Sequence, residues 1–284
     1  MKSRIVTHSG SFHADEIFAT ALIKRFINED IELIRTRDEE LLSKYTNDGN
    51  TWVIDVGRSY NEKVLNFDHH QASFNKTWPN STVPFSSCGL VWMYLKKNGF
   101  LEKHYSDEVI NIVEERLIVK IDMHDNRVAS LPQGIMFKLC NRENNTNDDF
   151  LRALLIAEMH LEDTFLFAER IERNRKKIRE IEFAESKQIA IFNEEVHNII
   201  TPVSRETSAK IIVMPKANEE SWSVRSIAKP HEGVLTPHWW RGLSNEELAE
   251  ASGIEDLIFV HKAGFLAIVG SKESAIEVAK TMLA

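Results

Sequence analysis

Apolar positions in the first half of the chain arrive in short runs separated by amphipathic stretches. Ile5-Val6 within 4–7 predicts a short buried strand. The Ser/Gly turn after it opens a helix with Ile17, Phe18, Ala21, Leu22 and Phe26 on one side. Residues 31–36 and 51–56 are further strand candidates, the second a Trp52-Val53-Ile54 run ending in Asp55 just before Gly57. Strands alternating with helices predict a parallel α/β sheet. Helical patterns follow over 86–97 and 104–121, the latter leading into Asp122-Met123-His124-Asp125, and the polar loop 141–149 marks a boundary. Residues 150–200 lack Gly and Pro, are rich in Glu, Arg, Lys and Ala, and carry apolar residues at helical spacing, which predicts a helical connector. Four strand candidates come next, at 209–214, 222–227, 257–261 and 265–269, with a Lys262-Ala263-Gly264 turn between the last two and a closing helix from Lys272. The expected organisation is an α/β parallel-sheet domain over 1–149, the helical connector over 150–200 and a smaller α+β domain over 201–284.

Composition narrows the function classes. The 284 residues are 43% hydrophobic and 27% charged, which is globular composition. No run approaches the roughly 20 apolar residues of a membrane span, and Arg4-Ile5-Val6-Thr7 begins without a signal-peptide core, so a cytoplasmic protein is expected. Two distant cysteines, Cys88 and Cys140, support neither a disulfide framework nor a thiolate zinc site, so any metal here must use imidazole and carboxylate. A net charge of −8 counts against wrapping long nucleic acid and fits a short phosphorylated substrate held locally.

Candidate chemistry gathers at strand ends. Thr7-His8-Ser9-Gly10-Ser11-Phe12-His13-Ala14-Asp15-Glu16 places two imidazoles and a carboxylate between a strand and a helix, where open α/β sheets bind ligands. Asp55 can reach the same crevice from another strand. Asp68-His69-His70 adds adjacent imidazoles, which share one site only if the strand has ended there, because neighbouring strand side chains face opposite ways. Each member alone has a plainer reading: His8 as a loop hydrogen-bonder, Asp55 as a turn residue, Asp122 or Asp125 as a helix-end cap. Their joint occurrence favours metal. Sulfur-free His/Asp ligands suit Mn²⁺ first, with Mg²⁺, Co²⁺ or Zn²⁺ as alternatives. Carboxylates bridging two such ions hold them roughly 3.5–4 Å apart, where both can grip a phosphoryl group and activate a water.

These residues resemble the DHH phosphoesterase superfamily, whose triplet stands here as Asp68-His69-His70. The first motif corresponds to His8 with His13-Ala14-Asp15, where many members carry Asp in place of His13, and the second to Asp55 in Val53-Ile54-Asp55-Val56-Gly57. The fourth corresponds to Asp125, with Asp122 as its rival. More closely, and over nearly the full length, the chain resembles the melanocyte-proliferating-gene family of metal-dependent hydrolases and exoribonucleases. Further marks are Arg35-Thr36-Arg37-Asp38, Trp240-Arg241-Gly242-Leu243 and Phe259-Val260-His261-Lys262-Ala263-Gly264-Phe265. The resemblance implies a DHH-type catalytic domain, a helical linker and a smaller carboxyl-terminal domain closing over the substrate. It also implies that His8, His13, Asp15, Asp55, His69 and Asp125 bind two metal ions, Asp68 orients its neighbours and His70 contacts the phosphate.

Arg37, Arg225, Arg241, His261 and Lys262 are candidates for substrate phosphates, against the plain reading of solvated cations, and Trp222, Trp239 and Trp240 for stacking a base, against ordinary packing. The expected activity is a 3′ to 5′ exonuclease on RNA or short oligonucleotides. Alternatives are a hydrolase of a small phosphorylated compound such as a nucleotide or pyrophosphate, and a non-catalytic metal- or nucleotide-binding protein. The Arg175-Lys176-Lys177 run that a pyrophosphatase would use reads as a solvated helix face, between Glu172 and Glu180. The sequence leaves oligomeric state open, a homodimer included.

Overall fold

The computed structural model describes residues 2–130, 132, 134, 138, 140, 141, 144–217, 220–228 and 232–284. The chain divides into two compact units, Met1–Glu169 and Arg170–Ala284. The first is built on a five-stranded sheet of order β2-β1-β3-β5-β4: β1 (Ser3–Thr7), β2 (Ile31–Arg35), β3 (Thr51–Ile54), β4 (Tyr60–Asn61) and β5 (Asn66–Phe67). All pairings are parallel except β4 with β5. The parallel sheet read from the sequence is therefore present, widened by two two-residue strands too short to carry a periodic signal.

Alternation along the strands separates two faces. Ile5, Trp52, Ile54 and Phe67 face a large core shared with α1 (Ala14–Phe26), while Val6 and Val53 pack against Tyr45 and Leu42 of α2 (Glu39–Thr46). Central strands buried on both faces need apolar runs, which is why Trp52-Val53-Ile54 is continuous rather than alternating. The sequence patterns left α2 unread, although Asp38 caps it by accepting the Leu41 amide at 2.9 Å and Glu39 and Glu40 occupy its first turn.

On the α1 side lie α3 (Ser87–Lys97) and a helical run of α4 (Asp107–Val113), a wide turn (Glu114–Ile118) and α5 (Val119–Asp125). The run starts later than the expected 104 because the Ser106 hydroxyl accepts the Val109 amide at 3.3 Å, and it extends far enough to put Asp122 and Asp125 on the helix rather than after it. The long helix α6 (Asn147–Arg179) stops well short of residue 200. Glu185, Ser186 and Lys187, all at positive φ, turn the chain between β6 (Glu182–Ala184) and β7 (Ile189–Ile191), where Ile189-Ala190-Ile191 is an apolar run short enough for a buried strand.

The second unit carries a six-stranded sheet of order β10-β11-β9-β8-β7-β6, with β8 (Ile211–Pro215), β9 (Trp222–Ser226), β10 (Leu257–Val260) and β11 (Leu266–Val269) near the expected positions. It is antiparallel except for β7 with β8. Short helices α7 (Ile200–Glu206) and α8 (Asn245–Ser252) precede the closing α9 (Lys272–Leu283). No described helix is long and apolar enough to cross a membrane.

Candidate metal centre

Three adjacent parallel strands end at one edge of the first sheet. The register pairs Val6 with Val53 and Ile54 with Phe67, so the next residues, His8 after β1, Asp55 after β3 and Asp68-His69-His70 after β5, emerge side by side. The triplet has left the strand, which frees both imidazoles from the alternation that would separate them. Asp55 itself sits at φ +56, a left-handed conformation that Asp tolerates better than most residues. The amino-terminal turn of α1 adds His13 and Asp15, and the last residue of α5 adds Asp125.

Asp55 is the hub. Its Oδ2 lies 3.3 Å from His8 Nε2, and its Oδ1 lies 3.4 Å from His69 Nε2 and 3.3 Å from His70 Nδ1. His69 Nε2 also stands 3.3 Å from Asp125 Oδ2 and 4.0 Å from Asp15 Oδ2. His8 Nδ1 faces the Ser9 carbonyl at 3.2 Å, which anchors a proton there and aims Nε2 into the cluster. Asp68, almost fully buried, accepts the Arg58 amide at 2.6 Å, the His70 amide at 3.0 Å and His70 Nδ1 at 2.9 Å. That leaves the His70 side chain 58% exposed, with its second nitrogen directed away from Asp68.

Electrostatics show what the cluster lacks. Burial opposes a charged His8, yet Asp55 and Glu16 outweigh it and push the ring up to about 10. The same contest, with Asp55 as the chief partner, raises His69. Asp15 is held well above the usual carboxylate range by burial first, then by Asp125, Asp55 and Glu16. Asp125 is raised by burial and by Asp55. Each of these groups is shifted toward taking up a proton, which is the response of a buried anionic cluster short of positive charge. Moreover, neither Asp15 oxygen has a hydrogen-bond partner although the residue is wholly buried, and His69 Nε2 is likewise without one. A buried carboxylate is normally hydrogen-bonded or bound to a cation. Among the described residues, three overlapping sets have donor atoms within 4.8 Å of one another: His8, His13, Glu16 and Asp55; Asp55, His69 and His70; His13, Asp15 and Asp125. The donors are nitrogen and oxygen only, and the residues fit divalent metal.

Glu16 was not singled out from the sequence. It is fully buried, its carboxylate accepts the His13 amide at 2.8 and 2.9 Å, and Oε1 lies 3.1 Å from His8 Nε2. An acidic residue three positions after a helix start reads as an ordinary capping partner. Only its burial against His8 distinguishes it.

Asp122 is a correction. The structure brings Asp125, not Asp122, to His69. Asp122 faces α3, where it accepts from Trp78 Nε1 at 2.8 Å, Ser86 Oγ at 2.6 Å and the Gly89 amide at 3.0 Å. These bonds tie α5 to α3, and among the described residues Asp122 belongs to none of the clustered donor sets. Burial nevertheless pushes it up to about 7 against those hydrogen bonds. A raised acid contributes stability that is present below its unfolded value of about 3.9 and is lost as pH climbs to about 7, at roughly 1.4 kcal/mol per pH unit. Asp122→Asn does not titrate. Its stability deficit relative to wild type, measured by urea unfolding of the chelated protein, is therefore expected to shrink from pH 5 to pH 8, and a constant deficit would contradict this assignment.

Arg37 lines a cavity of about 510 Å³ together with His8, His13, Asp55, Arg58 and His70. Its Nε donates to the Ser9 carbonyl at 3.0 Å, and the neighbouring Asp38 caps α2. The other cationic candidates lie in the second unit. Arg225 is on β9, its guanidinium 6.0 Å from the Phe265 ring. Arg241 is engaged locally: Nε and Nη2 donate to the Thr236 carbonyl at 3.0 and 2.7 Å. His261 Nδ1 accepts the Ala263 amide at 3.0 Å, and Lys262 is exposed in the β10–β11 turn. Trp240 is buried and Trp239 exposed. Arg175, Lys176 and Lys177 pair with Glu206, Glu172 and Glu194, as a solvated helix face would.

Comparison with known proteins agrees with the resemblance read from the motifs. Residues 4–283 match the MYG1 exonuclease model, described as uncharacterised protein family UPF0160. A MYG1 protein of Chlamydia pneumoniae is 30% identical over 297 residues, covering 95% of this chain and 93% of its own. The MYG1 exonuclease of Mus musculus is 27% identical over 330 residues, covering 99% and 85%. Among solved structures, Thermus thermophilus RecJ in complex with Mn²⁺ is similar at 14% identity and a TM-score of 0.26, with 99% of this chain and 51% of that chain covered.

Proposed function

The chain belongs to uncharacterised protein family UPF0160, the MYG1 exonuclease family, and on that footing we propose that it is a metal-dependent phosphoester hydrolase, a nuclease that releases nucleotides from RNA or short oligonucleotides. The exonuclease name of the mouse relative supports the substrate class. The observation that carries the chemistry is Asp15, wholly buried with both oxygens lacking a hydrogen bond beside His69, Asp55 and Asp125. His8, His13, Asp15, Asp55, His69 and Asp125 would hold two divalent ions, Mn²⁺ by preference. When bound, the ions supply positive charge to a phosphoryl oxygen and acidity to a water.

The chain's own residues do the rest. Asp68 fixes His70 through Nδ1 and raises its basicity, so the ring, which lines the cavity, is suited to pass a proton to a phosphate oxygen or to the oxygen that departs as the phosphorus–oxygen bond breaks. Arg37 and Arg58 line the same cavity and offer cationic donors to phosphate. Arg37→Ala should raise KM with kcat little changed, lowering kcat/KM about tenfold or more, the cost of one charge-assisted hydrogen bond. Steady-state kinetics on a short oligoribonucleotide checks this, and an effect confined to kcat would reject a ground-state phosphate contact.

A small nucleotide-like substrate is the second reading, favoured by the cavity of about 510 Å³ and by the net charge of −8. One assay separates the readings: products from an end-labelled oligoribonucleotide, a dinucleotide and pyrophosphate are followed with Mn²⁺ and after chelation. Stepwise mononucleotide release that requires Mn²⁺ is expected. Turnover of pyrophosphate alone, or of no phosphoester at all, would overturn the nuclease reading.

A further inference from the structure

Four of the exposed large apolar side chains lie on one helix of the first unit: Leu151 (43% exposed), Leu155 (59%), Met159 (70%) and Leu166 (52%), all on α6. Successive residues turn by about 100°, so spacings of four, four and seven keep these side chains within a sector of about 80°, a single stripe roughly 22 Å long. A different face of the same segment, centred roughly 115° away by the same count, is already occupied, because Phe150, Leu154, Leu161 and Phe165 are buried in the core. A surface helix that needs only one covered face has no use for the second stripe, and its residues are not scattered singly as exposed apolar side chains usually are.

Charge selects the occupant. Arg152, its side chain 63% exposed, stands at the amino-terminal end of the stripe, while Glu162 and Asp163, both exposed, flank its carboxyl-terminal half. The face is thus complementary to its own inverted copy. In a parallel pair, Glu162 and Asp163 of the two copies would meet each other, whereas the amino-terminal end is mixed, with exposed Asp148 beside Arg152. In an antiparallel pair crossing near Met159, Leu151 of one copy lies over Leu166 of the other and Arg152 comes within reach of Glu162 and Asp163, twice by symmetry. Beside the stripe opens a cavity of about 620 Å³ lined by Lys24, Phe26, Glu158 and Met159, so the facing surface is concave where Met159 projects. We propose that this chain forms a two-fold dimer in which α6 packs antiparallel against α6 of a second copy.

Sedimentation equilibrium of the full-length chain tests the proposal. Wild type should sediment at twice the chain mass, and Leu155→Glu combined with Met159→Glu at the chain mass, with the same thermal melt at low concentration, because both side chains are exposed in the single copy and Glu is a good helix former. Arg152→Glu and Asp163→Arg should each raise the dimer dissociation constant about tenfold, and the two together should restore it. A monomeric wild type, or a dimer that survives the double glutamate variant, would overturn the interface. Single charge reversals that change nothing, or that the double reversal fails to correct, would overturn the antiparallel arrangement.

Discussion

Asp15→Asn is expected to abolish metal-dependent hydrolysis and, in the chelated protein, to raise the melting temperature. The two effects have one cause. Asp15 is wholly buried, is unsatisfied by any hydrogen bond, and faces Asp125, Asp55 and Glu16, so its carboxylate is costly in the fold until a cation compensates it. An asparagine there carries no charge and can donate to those acidic neighbours. Relief of about 1–3 kcal/mol is expected at pH 8, some 2–5 °C in melting temperature for a chain of this size. Turnover should fall by well over the ~10–100-fold that losing an outer partner of a ligand costs. Divalent metal should then stabilise wild type, by about 4.1 kcal/mol at a thousandfold excess over the dissociation constant, and leave the variant where it was. The stability order of the two proteins therefore reverses on adding Mn²⁺, which scanning calorimetry reads directly. Retained turnover, or a chelated variant that melts below chelated wild type, would remove Asp15 from the centre.

Gly89→Ala should be the most damaging small substitution outside the ligands. On helix propensity alone it ought to help, by about 1 kcal/mol, since Gly89 lies inside α3. Packing decides otherwise. A Cβ at Gly89 would stand 1.9 Å from Asp122 Oδ2 and 2.8 Å from the Phe85 ring, both in the buried layer between α3 and α5. Overpacking of 1–3 kcal/mol and disturbance of the Gly89–Asp122 hydrogen bond together outweigh the propensity gain, for a net loss of about 2–3 kcal/mol. Because Asp122 and Asp125 share α5, metal affinity should weaken as well. Adding Asp122→Ala makes room, so the double variant should lose less than the sum of its parts in urea unfolding. Strict additivity would show that the contact is not the cause.

How much of this is legible in the sequence depends on the kind of signal. His8, Asp55 and the Asp68-His69-His70 triplet could be read because strand ends are marked by abrupt loss of apolar character and parallel sheets gather such ends on one edge. The choice between Asp122 and Asp125 could not be made. They lie one helical turn apart, and only the positions of Trp78, Ser86 and Gly89, distant in sequence, decide which carboxylate is consumed by hydrogen bonds. Glu16 was hidden because its local pattern is that of any helix start. The left-handed Asp55 was hidden for a different reason, since Asp-Val-Gly admits several turns until Ser87, His8 and His69 surround the carboxylate. The absence of Gly and Pro over 150–200 does not keep that stretch helical, since the helix stops at Arg179 and Glu185, Ser186 and Lys187 then turn the chain between β6 and β7 without either residue.

The central claim is that side chains far apart in sequence form one divalent-metal centre at the carboxyl edge of the first sheet. Anomalous diffraction at the manganese edge, on crystals grown with Mn²⁺, tests it most directly. The expected result is Mn²⁺ density in contact with His8, His13, Asp15, Asp55, His69 and Asp125, lost in Asp15→Asn crystals. Peaks confined to surface carboxylates, or a cluster that binds no Mn²⁺ while the protein still hydrolyses phosphoesters, would contradict it.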